Sequence, residues 1–120
     1  MKKILFIEDE SDLNIVYKKK FSSLYEIDFA VDSESALAKV VSWHPDLIIL
    51  DIIIPGKING IGVLKEIKNN INISYIPVLV LTNLEGEEET VKSLGATDCL
   101  IKSNIGFDVV AEKIENILTH

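Results

Sequence analysis

Three carboxylates, a hydroxyl and an amine occupy corresponding points along the chain. Glu8 and Asp9 follow the apolar run Ile4-Leu5-Phe6-Ile7, and Asp51 follows Leu47-Ile48-Ile49-Leu50. Thr82 follows the run from Ile76 to Leu81, and Lys102 follows Cys99-Leu100-Ile101. If these runs are neighbouring strands of one parallel sheet, the five side chains converge on one edge. Two carboxylates about 4 Å apart repel by roughly 4 kcal/mol at an effective dielectric near 20, so such a cluster needs a cation. A hard divalent ion meets that need. Magnesium prefers oxygen and keeps some of its waters, which suits two or three carboxylates plus a carbonyl; manganese is its substitute. Any one of these acids could be a solvated loop residue or a helix cap, but that reading does not explain a lysine and a threonine at matching depth.

The elements that must position this cluster are legible from periodicity. After Ile4–Ile7, residues Leu13, Val16, Tyr17, Phe21 and Leu24 fall on one helical face, with Ser11 as the expected cap. Ile27, Phe29 and Val31 alternate as a half-exposed strand. Ser33 opens a second helix carrying Ala36, Leu37, Val40, Val41 and Trp43, which Pro45 ends. Leu47–Leu50 is too uniformly apolar for a sheet with one wet face, and Pro55, Gly56, Asn59 and Gly60 mark the loop after it. Ile61, Leu64 and Ile67 continue as helix, Ile76–Leu81 is a second buried strand, and Glu85–Leu94 reads as a short acidic helix stopped by Gly95. Val109, Val110, Ile114, Ile117 and Leu118 form the stripe of a last helix that runs nearly to the terminal His120. Five strands alternating with five helices predict an α/β doubly wound domain, whose site lies beyond the carboxyl ends of the strands.

Composition narrows the chemistry. The 120 residues suit one domain, with no residues for a second. Nineteen acidic side chains against twelve lysines leave a net charge of −7, which opposes a nucleic-acid backbone. With no arginine, no guanidinium clamp on phosphate exists, so phosphate chemistry here must use lysine, a metal or backbone amides. The apolar segment Leu47–Ile54 is interrupted by Asp51 and falls far short of the roughly 20 residues a membrane span needs. The lone Cys99 can form no internal disulfide, and a cytoplasmic location is expected.

The motifs in order are Ile7-Glu8-Asp9-Glu10, the strand Asp46–Leu50 ending in Asp51, Pro55-Gly56, the strand Pro77–Leu81 ending in Thr82, and Gly95-Ala96 leading to Lys102. Over its whole length the chain resembles a receiver domain of the bacterial two-component response regulators, of the stand-alone type, spanning residues 1–120 with no output domain. The resemblance implies a flavodoxin-like (βα)5 fold with a parallel sheet of order 2-1-3-4-5. It implies a signalling switch, not an enzyme beyond its own phosphoryl transfer and slow dephosphorylation. Asp51 would be the phosphoacceptor, and Glu8, Asp9, Asp51 and the backbone carbonyl of Ile53 the magnesium ligands. Lys102 and Thr82 would bind the phosphoryl group and drive the switch. The implied partners are a histidine kinase or histidine phosphotransfer protein and an output protein, with the chain a monomer or a weak phosphorylation-dependent dimer.

Four features depart from the family pattern. Cys99 stands where many receivers carry a switch aromatic. Ser103 replaces the proline that usually follows the lysine, which makes a cis peptide there improbable and leaves Lys102 less firmly aimed. Asn83 stands where alanine or glycine is usual, in position to crowd the phosphoryl group or bond to it. The loop Pro55–Gly60 is one residue longer than the common form. Two further positions, Ile53 and Leu84, flank the hydrolytic water's path in the family; both are aliphatic, which implies slow self-dephosphorylation. These departures keep a second reading open, a degenerate receiver that docks without being phosphorylated. A flavodoxin-like cofactor carrier or small phosphatase is disfavoured, because Glu8-Asp9-Glu10 replaces a phosphate-cradling loop. His44 reads as a solvated helix end, Trp43 as packing, and Glu85, Glu87, Glu88 and Glu89 as a wet helix face.

Overall fold

Ten main elements alternate along residues 1–119, the part of the chain described by the computed structural model; His120 lies outside it. They are β1 (Lys3–Ile7), α1 (Ser11–Phe21), β2 (Glu26–Ala30), α2 (Ser33–Trp43), β3 (Leu47–Leu50), α3 (Gly60–Asn69), β4 (Val78–Thr82), α4 (Glu88–Ser93), β5 (Asp98–Ile101) and α5 (Phe107–Leu118). A 3-10 turn, Lys102–Asn104, joins β5 to α5. The strands pair in parallel in the order β2-β1-β3-β4-β5, as the resemblance implies.

Because side chains alternate across a strand, each central strand feeds two cores. Leu5, Ile7, Ile48, Leu50, Val78 and Val80 meet Ala36 and Val40 of α2, Val63, Leu64 and Ile67 of α3, and Val91 of α4. Ile4, Phe6, Leu47, Ile49, Leu79 and Leu81 meet Tyr17 and Phe21 of α1 and Val110 and Ile114 of α5. Both faces of β3 and β4 are therefore covered, which explains their unbroken apolar runs.

Element ends differ from expectation in five places. Glu10, not Ser11, is the N-cap of α1, and it caps without a side-chain bond; the backbone is already helical at Ser11. The helix stops at Phe21, leaving Leu24 outside it and exposed. β2 ends at Ala30, and Val31 is exposed beyond it. β4 starts at Val78, because Pro77 has no N–H for the ladder and the Ile76 carbonyl is occupied by the Lys68 ammonium at 2.8 Å. α4 begins only at Glu88, since Gly86 adopts a left-handed φ of +88°. Val41 and Val109, placed on apolar faces by spacing, are exposed. His44 ends α2 in the left-handed region with φ +49°, and its Nδ1 lies 3.2 Å from the Tyr75 hydroxyl.

Two caps fix the helices nearest the site. Asp32 and Ser35 form a reciprocal capping box on α2, and Asn59 Oδ1 accepts from Gly62 N–H at 3.0 Å to start α3. Gly60 lies so close to the chain leaving β3 that a β-carbon there would collide with the Asp51 carbonyl oxygen and come within 2.6 Å of the Ile52 α-carbon. A residue without a side chain is what lets α3 start against the segment carrying Asp51.

Candidate functional site

The carboxyl ends of β1 and β3 are in register, with Ile7 opposite Leu50, and the ladder runs one rung further: Asp51 N–H donates to Ile7 O at 3.0 Å. On the other side of β1, Glu8 N–H donates to Ala30 O at 3.0 Å. The backbone of the two acids is thus held by sheet geometry. Both side chains are buried, at 4% exposure for Glu8 and 7% for Asp51. Lys102 reaches back from the 3-10 turn and donates to Asp51 Oδ2 at 2.7 Å and to Glu8 Oε1.

One ammonium shared by two carboxylates leaves a net negative site with little water around it. Burial pushes the Glu8 carboxyl above its usual value; bonds from Lys102 and Glu10 N–H oppose that shift, and the Asp51 charge adds to it. Burial alone would lower the Lys102 ammonium, but bonds to Asp51 and Glu8 outweigh it and hold it above the ordinary lysine value. Lys102 is therefore a fixed positive charge at neutral pH, while the two acids retain capacity for further positive charge.

The other expected residues lie around this pair. Asp9 is exposed at the start of the loop after Glu8. The Ile53 side chain is 59% exposed, and its N–H donates to Asp51 Oδ1 at 3.1 Å. Thr82 is fully buried and its hydroxyl oxygen accepts from Leu84 N–H at 3.2 Å. Leu84 is 37% exposed. Cys99 pairs with Val80, two residues back from the pair Thr82 and Ile101, and packs against the core beneath α2 to α4. Burial, with the charges of Glu88 and Asp98, raises its thiol above the usual value, which argues against a reactive thiolate. Asn83 is exposed and its Oδ1 accepts from Ser103 N–H at 2.9 Å. No cis peptide occurs among the described residues. A groove of about 270 Å³ opens beside Lys102, with Leu13, Tyr17, Asn83, Ser103 and Phe107 in its walls.

Sequence reasoning missed how the long loop is anchored. Ser33 N–H donates to Pro55 O at 3.0 Å, and Glu34 Oε1 accepts from Lys57 N–H at 2.8 Å. The extra residue is accommodated by pinning the loop to the first turn of α2, a contact between segments more than twenty residues apart that no local pattern announces.

Glu8 and Asp51 come together through Lys102, and Asp9 follows next in the chain. Among the described residues, no three Asp, Glu, His or Cys side chains gather into a ready-made metal cage. The donor chemistry nonetheless fits a hard divalent cation: every candidate ligand atom is oxygen, and the two buried carboxylates carry more charge than one ammonium cancels.

A parallel five-stranded sheet with an acid pair, a buried threonine and a lysine at its carboxyl edge defines a receiver-type α/β domain. Residues 4–115 match the family model of the response regulator receiver domain, and the chain belongs to that family. It is 33% identical over 103 residues to response regulator PleD of Caulobacter vibrioides, covering 83% of this chain and 22% of PleD. It is 36% identical over 104 residues to the alkaline phosphatase synthesis transcriptional regulatory protein PhoP of Bacillus subtilis, covering 84% of this chain and 42% of PhoP. The chain thus spans between about a fifth and two-fifths of the length of these relatives. Among solved structures, the response regulator TrrA of Thermotoga maritima, in complex with magnesium and beryllofluoride, superposes with a TM-score of 0.86 at 34% identity over 98% of this chain and all of that one. No helix among the described residues is long and apolar enough to cross a membrane.

Proposed function

We propose that Asp51 accepts a phosphoryl group from the phosphohistidine of a histidine kinase or histidine phosphotransfer protein, and that the modified domain switches a protein-binding surface. The observation that carries this reading is the placement of Asp51: buried at the end of β3, bonded to Lys102 at 2.7 Å and to Ile53 N–H at 3.1 Å. In the transfer, the donor's N–P bond breaks as an O–P bond forms to the Asp51 carboxylate, and the leaving imidazole takes a proton from solvent.

Asp9, Asp51 and the Ile53 carbonyl would hold magnesium, or manganese in its place, with Glu8 acting through water; the ion's chemistry is to neutralise charge on the phosphoryl oxygens. Lys102 exchanges its bond to Asp51 for one to a phosphoryl oxygen, as a point charge. Thr82, released from Leu84 N–H, turns its hydroxyl to the same group and draws the chain before α4 with it. Ile53 and Leu84, both aliphatic and part-exposed, flank the acyl phosphate and slow its attack by water.

The test is incubation with magnesium and acetyl phosphate, followed by intact mass. Wild type should gain one phosphoryl group and Asp51→Asn none. No gain in wild type would favour the docking module that functions unphosphorylated, and a gain surviving in Asp51→Asn would displace Asp51 as acceptor.

A further inference from the structure

Two of the four departures from the family pattern meet in space. Ser103 carries a backbone N–H that a proline at that position would lack, and this N–H donates to the side-chain oxygen of Asn83 at 2.9 Å. Asn83 directly follows Thr82, and Ser103 directly follows Lys102. The last backbone pair of β4 and β5 is Thr82 with Ile101. The Asn83 amide therefore extends the connection between the two strand ends past the point where the sheet stops.

Lys102 needs such a connection. It opens a 3-10 turn of three residues that has no side-chain cap, and the turn closes by a long bond, Ile105 N–H to Lys102 O at 3.4 Å. Ser103 and Asn104 are exposed, so burial does not hold the turn. A proline at 103 would also disfavour the helical conformation that Lys102 adopts at the start of this turn.

We propose that Asn83 is a positioning residue for Lys102: its amide oxygen clamps the Ser103 N–H and so aims the Lys102 ammonium at Asp51, replacing a rigid proline with a hydrogen bond between two loops. The consequence for phosphoryl transfer rests on the reading of Asp51 as acceptor; the clamp itself does not. Asn83 thus keeps its oxygen on the protein, and the lysine that the sequence leaves loosely aimed is held from the neighbouring strand's loop.

The test is Asn83→Ala and Asn83→Asp, followed by two independent readouts. In the first, Asp51 is phosphorylated by acetyl phosphate with magnesium. Asn83→Ala should lower the maximal rate about fivefold, the worth of one neutral hydrogen bond, with the donor KM unchanged. Asn83→Asp, which keeps an acceptor, should hold the maximal rate within about twofold of wild type while its added charge raises the KM for the anionic donor. In the second, amide exchange of Ser103 and the ¹⁵N-detected Lys102 ammonium are followed without phosphodonor. Asn83→Ala should speed Ser103 exchange and broaden the Lys102 signal, and Asn83→Asp should preserve both. Wild-type rates in Asn83→Ala, or a rate loss with the Ser103 and Lys102 signals unchanged, would overturn the clamp. If wild type takes no phosphoryl group, the reading of Asp51 fails by itself, and the Ser103 and Lys102 signals still decide the clamp.

Discussion

The two faces of the sheet are built from different materials. Beneath α1 and α5, Phe6 stacks on Tyr17 with ring centroids 4.5 Å apart and lies 6.0 Å from Phe21 and 5.7 Å from Phe29, while Phe107 meets Tyr17 edge-on at 5.9 Å. Beneath α2, α3 and α4, the buried side chains are all aliphatic. Thr82 and Cys99 lie on that second face, where β4 and β5 approach α4. Interlocked rings resist displacement, because a planar group cannot shift without moving its neighbours. Small aliphatic groups change rotamer at lower cost. The sheet thus has a stiff side, against which Ile4 and Phe6 of β1 pack, and a more compliant side, where a moving Thr82 would be felt.

The largest expected effect tests the stiff side. Phe6→Ala removes the ring that three others touch, from a position 1% exposed, and should cost about 4 kcal/mol in urea denaturation. Ile48→Ala, the corresponding truncation of a buried residue on the opposite face, should cost about 3 kcal/mol. Equal costs would erase the distinction between the faces.

The next effect lies on the seam where both faces end. Lys102→Met leaves Glu8 and Asp51 buried without their shared ammonium and should cost about 3 kcal/mol in chelator, because breaking a buried pair strands the remaining charge. Added magnesium should recover much of that loss and should stabilise the variant more than it stabilises wild type. A variant as stable as wild type in chelator would mean that the pair carries no strain for a cation to relieve.

A smaller effect probes the compliant side. Cys99→Phe places an aromatic on β5 opposite Val80, two residues before the Thr82 rung. The site is only part-buried, so overpacking should cost no more than about 2 kcal/mol. If ring bulk is what couples Thr82 to α4, amide shifts of Glu88–Ser93 on beryllofluoride addition should be larger in Cys99→Phe than in wild type. Shifts of equal size would place the coupling in the backbone before α4.

Much of this architecture is legible in the residues alone, and the gaps have physical causes. Ile4–Ile7, Leu47–Leu50 and the strand ends at Glu8, Asp51, Thr82 and Lys102 follow from apolar runs and the chemistry at their ends. The uniform run Leu47–Leu50 hides which residue faces which helix layer, because alternation carries no signal when every residue is apolar. Leu24 and Val41 fit a helical face by spacing and lie in solvent, since periodicity does not say where packing stops. Glu85 continues an acidic helical pattern, yet Gly86 with its positive φ delays α4. The bonds of Ser103 to Asn83 and of Lys57 to Glu34 join residues some twenty positions apart across loops, and only the folded sheet brings them together.

The smallest expected effect concerns a tie between the two faces around the β5 edge. Asp98 binds Lys113 of α5 at 2.6 Å and Lys92 of α4 at 3.3 Å, and accepts from Cys99 N–H at 2.8 Å. Burial alone would raise its carboxyl, but the bonds from Lys113, Cys99 N–H and Lys92 outweigh burial and hold it below the usual aspartate value. A carboxyl depressed in the folded state adds stability that is present above its unfolded value, near pH 4, and is lost as pH falls through its folded value. Asp98→Asn should therefore cost about 1 kcal/mol at pH 7, as expected of a part-exposed charge network, and the gap to wild type should close as the pH is lowered below about 4. High salt should narrow the same gap at neutral pH by screening both lysines. A cost independent of both pH and salt would show that the charge of Asp98 contributes nothing here, and that α4 and α5 are not tied through it.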